Sequence, residues 1–133
     1  MPPDRVSISH EADILAARRA ARALAVSAGF SDLELTLIAT AISEIARNML
    51  QYAKGGEMEF EVLRDRARAG LSVTARDRGP GIPDVARAME DGFTTGNGLG
   101  LGLPGARRLM DEFSLESKVG AGTTIVMKKW RGS

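Results

Sequence analysis

The chain has no cysteine. A disulfide framework and a thiolate metal centre are therefore both excluded, and redox chemistry says nothing about compartment. It has one histidine, His10, so a histidine metal cluster is excluded too. No apolar run approaches the roughly 20 residues that cross a bilayer. No signal peptide opens the chain, so the cytoplasm is expected and a membrane partner is not. Excess charge of one sign is also missing: 18 basic residues stand against 17 acidic ones, for a net charge of +1. A nucleic-acid binder needs a clustered basic surface, so nucleic acid is not an expected partner. Repeats, linkers and low-complexity tails are absent. What remains is ordinary globular material, 44% hydrophobic and 26% charged. A length of 133 residues predicts one domain, residues 1–133, with room for a real core.

Arg5 to Ser9 alternate apolar and polar residues, which predicts a short half-buried strand with His10 at its end. Glu11 to Ala28 is rich in alanine, leucine and arginine, a helix-forming composition. Ile14, Leu15, Ala21, Leu24 and Ala25 form its apolar stripe, and Gly29 is placed to cap its C-terminus. Ser31 followed by Glu34 is a capping-box pattern. It predicts a second helix from about Asp32 to Tyr52, with Leu33, Leu37, Ile38, Ala41, Ile42, Ile45 and Met49 on its apolar face. After the turn Lys54-Gly55-Gly56, Glu57 to Leu63 and Leu71 to Ala75 alternate as an antiparallel pair joined through Arg64 to Gly70. Pro83 to Met89 predicts a short helix and Leu103 to Phe113 a third long one. Ser114 to Val119 and Thr123 to Trp130 are the last strands, around Gly120-Ala121-Gly122. The order β-α-α-β-β-(α)-α-β-β predicts a two-layer α/β sandwich, a mixed and mostly antiparallel sheet with helices covering one face.

Five of the 15 glycines fall between positions 92 and 102. Such a run cannot be a packed element interior. It is either a flexible loop or a place where backbone N–H groups approach an anion. No Gly-Lys-Ser/Thr follows, so it is not a Walker loop, and no strand leads into it as in a Rossmann fingerprint. Asp77 ends an apolar strand just before Gly79-Pro80-Gly81. It is a turn residue, or a carboxylate that accepts an exocyclic amine at the floor of a pocket. Glu44 and Asn48 lie one helical turn apart, beside the core row. They are two solvated polar residues, or a proton acceptor next to a hard oxygen ligand for Mg²⁺. Asparagine is a poor helix-interior residue, which favours a functional reason for its place.

Glu44-x3-Asn48, Asp77-x-Gly79-x-Gly81-Ile82, Gly98-Leu99-Gly100-Leu101-Gly102 and Gly122-Thr123, in that order, resemble the GHKL, or Bergerat-fold, nucleotide-binding superfamily. That superfamily includes histidine kinases, gyrase B, MutL and the small anti-sigma-factor serine kinases. The resemblance spans about residues 5–130. Ser43-Glu44-Ile45-Ala46-Arg47-Asn48 and Gly102-Leu103-Pro104-Gly105 look most like the switch kinases of bacterial stressosomes.

The resemblance implies ATP and Mg²⁺ as cofactors. It implies that Asn48 holds Mg²⁺ against the phosphates and that Glu44 is the general base or orients the attacking water or hydroxyl. Arg47 would face the phosphates or the protein substrate. Asp77 would take the adenine amino group, Gly81 would pack under the base, and Thr123 would help through a water. Gly79 and Ile82 belong to the same nucleotide-binding turn. Gly98, Leu99, Gly100, Leu101 and Gly102 would offer N–H groups to phosphates, and Phe93 to Asn97, with Thr94 and Thr95, would be the lid. The implied activity is phosphorylation of serine or threonine on STAS-domain scaffold proteins. The freed kinase would then activate a PP2C-type phosphatase. The alternative is an anti-sigma factor that sequesters a sigma subunit. Monomer and homodimer both stay open. His10, on a strand with no phosphoacceptor helix, argues against autophosphorylation.

Overall fold

In the computed structural model, residues 4–82, 89 and 102–132 are described. Residues 83–88 of the helix expected over 83–89, the lid and the glycines before Gly102 lie outside them. So do the site candidates Thr94, Thr95, Gly98, Leu99, Gly100 and Leu101.

The chain runs β1 (Asp4–Ile8), α1 (Ala12–Ala28), α2 (Asp32–Ala53), β2 (Gly56–Asp65), β3 (Arg68–Asp77), α3 (Gly102–Leu109), β4 (Glu112–Lys118) and β5 (Gly122–Trp130). The strands form one sheet in the order β1-β2-β3-β5-β4. Every neighbouring pair is antiparallel, so among the described residues the sheet is not mixed. The reason is topological. β3 and β4 do run parallel, but β5 pairs between them.

Alternation puts Met58 and Phe60 of β2, Val73 and Ala75 of β3, and Ile125 and Met127 of β5 on one buried face. The register sets Phe60 against Val73 and Val73 against Met127. A one-residue slip would turn that whole row to solvent, so burial itself fixes the register. The opposite face carries ion pairs, Arg76 with Glu59 at 2.9 Å and Arg5 with Glu59 at 3.1 Å.

α1 and α2 cover the buried face. The stripe of α1 is Ile14, Ala17, Ala21, Ala25 and Ala28. Its alanines let the helix approach closely. Leu15, expected in the stripe, is 48% exposed, because it lies about 100° around the helix from Ile14. Leu33 is likewise corrected: it is 69% exposed in the first turn of α2, and Leu35 is buried instead. Ile38, Ala41, Ile42, Ile45, Ala46 and Met49 complete the buried side of α2. Truncating a fully enclosed side chain such as Ile42 costs about 2–5 kcal/mol.

α1 ends as expected at Gly29, with φ 90°. Gly29 N–H donates to the Val26 carbonyl and Phe30 N–H to the Ala25 carbonyl, a Schellman closure. The strand before α1 stops at Ile8, so His10 lies in the exposed turn rather than on the strand.

Two other boundaries move. The expected connection Arg64 to Gly70 shrinks to Arg66 and Ala67, because Asp65 still pairs across the ladder with Arg68. Their side chains meet at 3.1 Å. The third helix ends at Leu109, not Phe113. Asp111 stops it: its N–H donates to the Lys128 carbonyl at 2.9 Å and its carboxylate accepts from Trp130 N–H at 2.6 Å. Those bonds draw Glu112 and Phe113 into β4.

α2 begins with the expected capping box. Glu34 N–H donates to Ser31 Oγ at 3.2 Å and Ser31 N–H to Glu34 Oε1 at 2.8 Å. Glu34 also accepts from Gly132 N–H at 2.7 Å, tying the end of the described chain to α2. Burial alone would push this carboxyl up. The N–H groups of Ser31 and Gly132, the Ser31 hydroxyl and the charge of Lys129 outweigh it and hold Glu34 below the usual glutamate value of 4.5. A lowered folded value means stabilisation above the unfolded value, lost as pH falls through the folded one. Glu34→Gln should therefore cost about 1 kcal/mol at neutral pH. It should also show a shallower loss of melting temperature than wild type below pH 4.5. Equal acid slopes for the two proteins in a pH series of thermal melts would contradict this.

Candidate nucleotide site

The site candidates lie along the edge of α2 that borders the core. Glu44 and Asn48 fall one turn apart on that edge, and both are half-buried. The Glu44 side chain is 16% exposed and pairs with Arg47 at 3.6 Å. Arg47 itself points outward, 51% exposed. The other Glu44 oxygen accepts a hydrogen bond from Gly102 N–H at 3.2 Å. Gly102 is the first residue of α3. An anionic oxygen therefore already sits at a helix N-terminus, where free N–H groups and the dipole favour it. The Asn48 side chain makes no hydrogen bond to a described residue. Its amide oxygen is a hard donor one turn from a carboxylate, the chemistry that suits Mg²⁺ held mainly by phosphates.

The second cluster forms where β3 ends. Asp77 Oδ1 accepts from Gly79 N–H at 2.9 Å and from Thr123 N–H at 3.2 Å. The turn reading of Asp77 thus holds for one oxygen. Oδ2 has no hydrogen bond to a described residue. Thr123 is buried and lies across the ladder from Asp77.

Gly79 presses on the end of α2: a Cβ there would stand 2.6 Å from the Ala53 Cβ. Gly81 has φ 81°, and a Cβ on it would run into the Lys118 carbonyl. Sequence reasoning reserved these glycines for the approach of a base. Their missing side chains first allow protein backbone to approach protein backbone. Pro80 and Ile82 finish the clamp. The Pro80 carbonyl accepts from Gly120 N–H at 2.9 Å, and Ile82 N–H donates to Ser117 Oγ at 2.7 Å.

α2 joins the two clusters. Glu44 reaches Gly102, and Ala53, nine residues later, meets Gly79. At 1.5 Å per residue that is about 13 Å of helix, with Asn48 between. So the structure gathers Glu44, Arg47 and Gly102 at one end and Asp77, Gly79, Gly81, Ile82 and Thr123 at the other. Sequence reasoning missed Ser117, whose hydroxyl lies 2.8 Å from that of Thr123. The signal was available. A hairpin closed at Gly120-Ala121 pairs Ser117 with Thr123.

A carboxylate at the start of α3 and a carboxylate-held turn at the end of β3 thus lie at two ends of one edge of α2. The family model described as a histidine kinase-like ATPase domain matches residues 9–129, and the chain belongs to that family. Among its relatives, the serine/threonine-protein kinase RsbT of Bacillus subtilis is 52% identical over 125 residues, covering 94% of each chain. The anti-sigma F factor of Geobacillus stearothermophilus is 36% identical over 103 residues, 72% of this chain and 69% of that one. The solved structure of the RsbU and RsbW domains of a Mycobacterium tuberculosis protein superposes with a TM-score of 0.66 at 20% identity. It covers 100% of this chain, which spans 34% of that longer one, and it speaks for the fold alone.

The divided role of Asp77 is testable. In Asp77→Asn the amide oxygen can still receive Gly79 and Thr123, but an NH₂ group replaces Oδ2. ATP affinity measured by calorimetry should fall roughly 10- to 100-fold, while the melting temperature without nucleotide stays close to wild type. Unchanged affinity would place the base elsewhere.

Proposed function

We propose that this chain is a serine/threonine protein kinase of a partner-switching circuit. It transfers the γ-phosphoryl group of ATP to a hydroxyl of a STAS-domain protein that also sequesters it. Once released, it activates a PP2C-type phosphatase. The kinase reading is supported by the 52% identity to RsbT over 94% of both chains. The observation that carries the chemistry is the Glu44 carboxylate at the first N–H of α3.

The residues divide the work. Asp77 Oδ2 accepts the adenine amino group, and Thr123 completes the base contact through a water. Gly79, Gly81 and Ile82 form the turn that fixes Asp77. The N–H groups of Gly98, Leu99, Gly100, Leu101 and Gly102 receive phosphate oxygens, with Thr94 and Thr95 in the covering segment. The Asn48 amide oxygen holds Mg²⁺. When bound, the metal would offset the negative charge that develops on the phosphates.

A phosphate oxygen at Gly102 N–H takes the place of Glu44. The carboxylate is then free to orient the attacking serine or threonine hydroxyl and accept its proton. An oxygen–phosphorus bond forms to the substrate. The bond between the γ-phosphorus and its bridging oxygen breaks, and ADP leaves with that electron pair. Arg47, exposed and paired to Glu44, faces the arriving phosphates or the protein substrate. The phosphate added to a docked STAS protein places negative charge in the interface, which favours release.

A second reading keeps ATP but makes sigma-subunit sequestration the main task. The 36% identity to an anti-sigma F factor favours it. Recovery of a sigma subunit instead of STAS proteins on affinity capture would decide for this reading.

With labelled ATP, wild type should phosphorylate a STAS partner. Glu44→Gln should bind ATP yet transfer phosphate roughly 10²- to 10⁴-fold more slowly. Normal ATP binding with no transfer to any STAS protein would overturn the kinase reading. Asn48→Ala should bring nucleotide affinity in Mg²⁺ down to the level that wild type shows in chelator. A variant that keeps its metal dependence would assign the ligand to another residue.

A further inference from the structure

Between α1 and α2 the surface holds a groove of about 260 Å³. Its floor is apolar, from Ala25 of α1 and Leu35 and Ile38 of α2, all buried. Leu15, Arg18, Arg19 and Arg22 stand along its α1 rim. None of these residues belongs to a motif of the nucleotide site. We propose that the groove is a docking site for an acidic amphipathic helix of a partner protein.

The rim is patterned. Leu15, Arg18, Arg19, Arg22 and Val26 follow at i, i+3, i+4, i+7 and i+11, so they share one flank of α1. Packing on the sheet does not explain that flank, because the core stripe of α1 is Ile14, Ala17, Ala21, Ala25 and Ala28. Leu15 is 48% and Val26 53% exposed, so apolar groups lie in solvent on both sides of three cations. None of the three arginines has an ion pair or hydrogen bond to a described residue. Like charges at i and i+4, such as Arg18 and Arg22, repel one another. Carboxylates from outside the chain would relieve that repulsion.

The opposite wall has the other polarity. Thr36 Oγ1 donates to the Asp32 carbonyl at 3.1 Å, and Thr40 Oγ1 to the Thr36 carbonyl at 2.9 Å. With their protons so committed, both hydroxyls can only accept from an occupant. The guanidinium groups can only donate. An occupant therefore sets its carboxylates toward α1 and its apolar row on the floor, the pattern of a helix lying in a groove. From Leu15 to Val26 the rim runs about 16 Å, or three helical turns.

A nucleic acid or an anionic membrane also attracts arginine. The surroundings disfavour both. The helices that form the groove begin with carboxylates, Glu11 and Asp13 in α1 and Asp32 in α2. A long polyanion would soon meet like charge, and phosphates gain nothing from an apolar floor. The α2 wall also runs on toward the nucleotide site, since Thr36, Thr40, Glu44 and Asn48 recur at every fourth residue. On the kinase reading, on which this last consequence rests, a partner seated in the groove lies beside Glu44.

The experiment uses the full chain and three labelled peptides of roughly 15 residues, about four turns. The first is helical, with leucines on one face and glutamates beside them. The second scrambles the same residues. The third carries lysine in place of glutamate. By fluorescence anisotropy the first should bind roughly 10-fold tighter than the second, and the third should not bind. Reversing two charges together, Arg18→Glu with Arg22→Glu, should weaken the first peptide roughly 10- to 100-fold. ATP affinity and melting temperature should stay at wild type. Leu15→Ser should bring the helical peptide down to the scrambled one. Equal binding of those two peptides by wild type, or binding that survives the charge reversal, overturns the proposal. So does tighter binding of phosphatidylserine vesicles or single-stranded RNA that is lost in the same variant. In the transfer assay, Arg22→Glu should raise KM for the STAS protein and leave kcat unchanged; an unchanged KM places docking elsewhere. A chain that binds the helical peptide but transfers no phosphate keeps this proposal and loses the kinase reading.

Discussion

One oxygen of Asp77 joins three parts of the chain. It ends β3, receives the N–H of Gly79 in the turn that follows, and receives the N–H of Thr123 at the start of β5. The two donors would otherwise be backbone groups at a strand end with no ladder partner, which is costly in a half-buried place. Everything at that end of the site follows from this arrangement. The turn is held, Gly79 comes down on Ala53, and Gly81 comes down on the turn between β4 and β5. Because Oδ1 is held by two backbone donors, the direction of Oδ2 is fixed with it.

Glu44 shows the complementary arrangement at the far end. It is held by an ion pair on one oxygen and by a helix N-terminus on the other. Neither contact is strong alone. A pair such as Arg47–Glu44, half in solvent, contributes little, and the N–H···O distance of 3.2 Å is long for a charge-assisted bond. On the reading proposed above, a weakly held carboxylate is what a displaceable occupant of a phosphate position must be, and tighter binding of Glu44 would raise the cost of nucleotide entry.

Much of this was legible in the chain, and for identifiable reasons. The capping box at Ser31 and Glu34 is local chemistry, so sequence found it. Gly29 needed only its own φ to end α1. Asn48 could be singled out because asparagine is a poor helix-interior residue, and Glu44 and Asp77 because they fall into an ordered set of motifs with it. Failures came where tertiary contacts decide. Leu15 and Leu33 are apolar and helical but lie off the face that meets the sheet. Phe113 leaves its helix because Asp111 is held by β5. Ser117 is an unremarkable polar residue on an alternating strand until its cross-strand partner is known. Glycines 79 and 81 were noticed correctly, but the atoms that fill their empty space come from α2 and from residue 118.

α2 then acts as the ruler of the site. Its rotation is fixed by Ile38, Ile42, Ile45 and Met49, none more than 3% exposed. Each residue along a helix turns by about 100°, so these four fix the direction of every other side chain on it. Glu44 and Asn48 must then border the core instead of facing water. Its length is fixed as firmly, by the Ser31–Glu34 box at one end and by Lys54 in the left-handed conformation at the other. A helix held in both rotation and extent places the Glu44 carboxylate, the Asn48 amide and the contact of Ala53 with the Gly79 turn in fixed order along one edge. That order is set by the hydrophobic face of one helix, whatever ligand the edge serves.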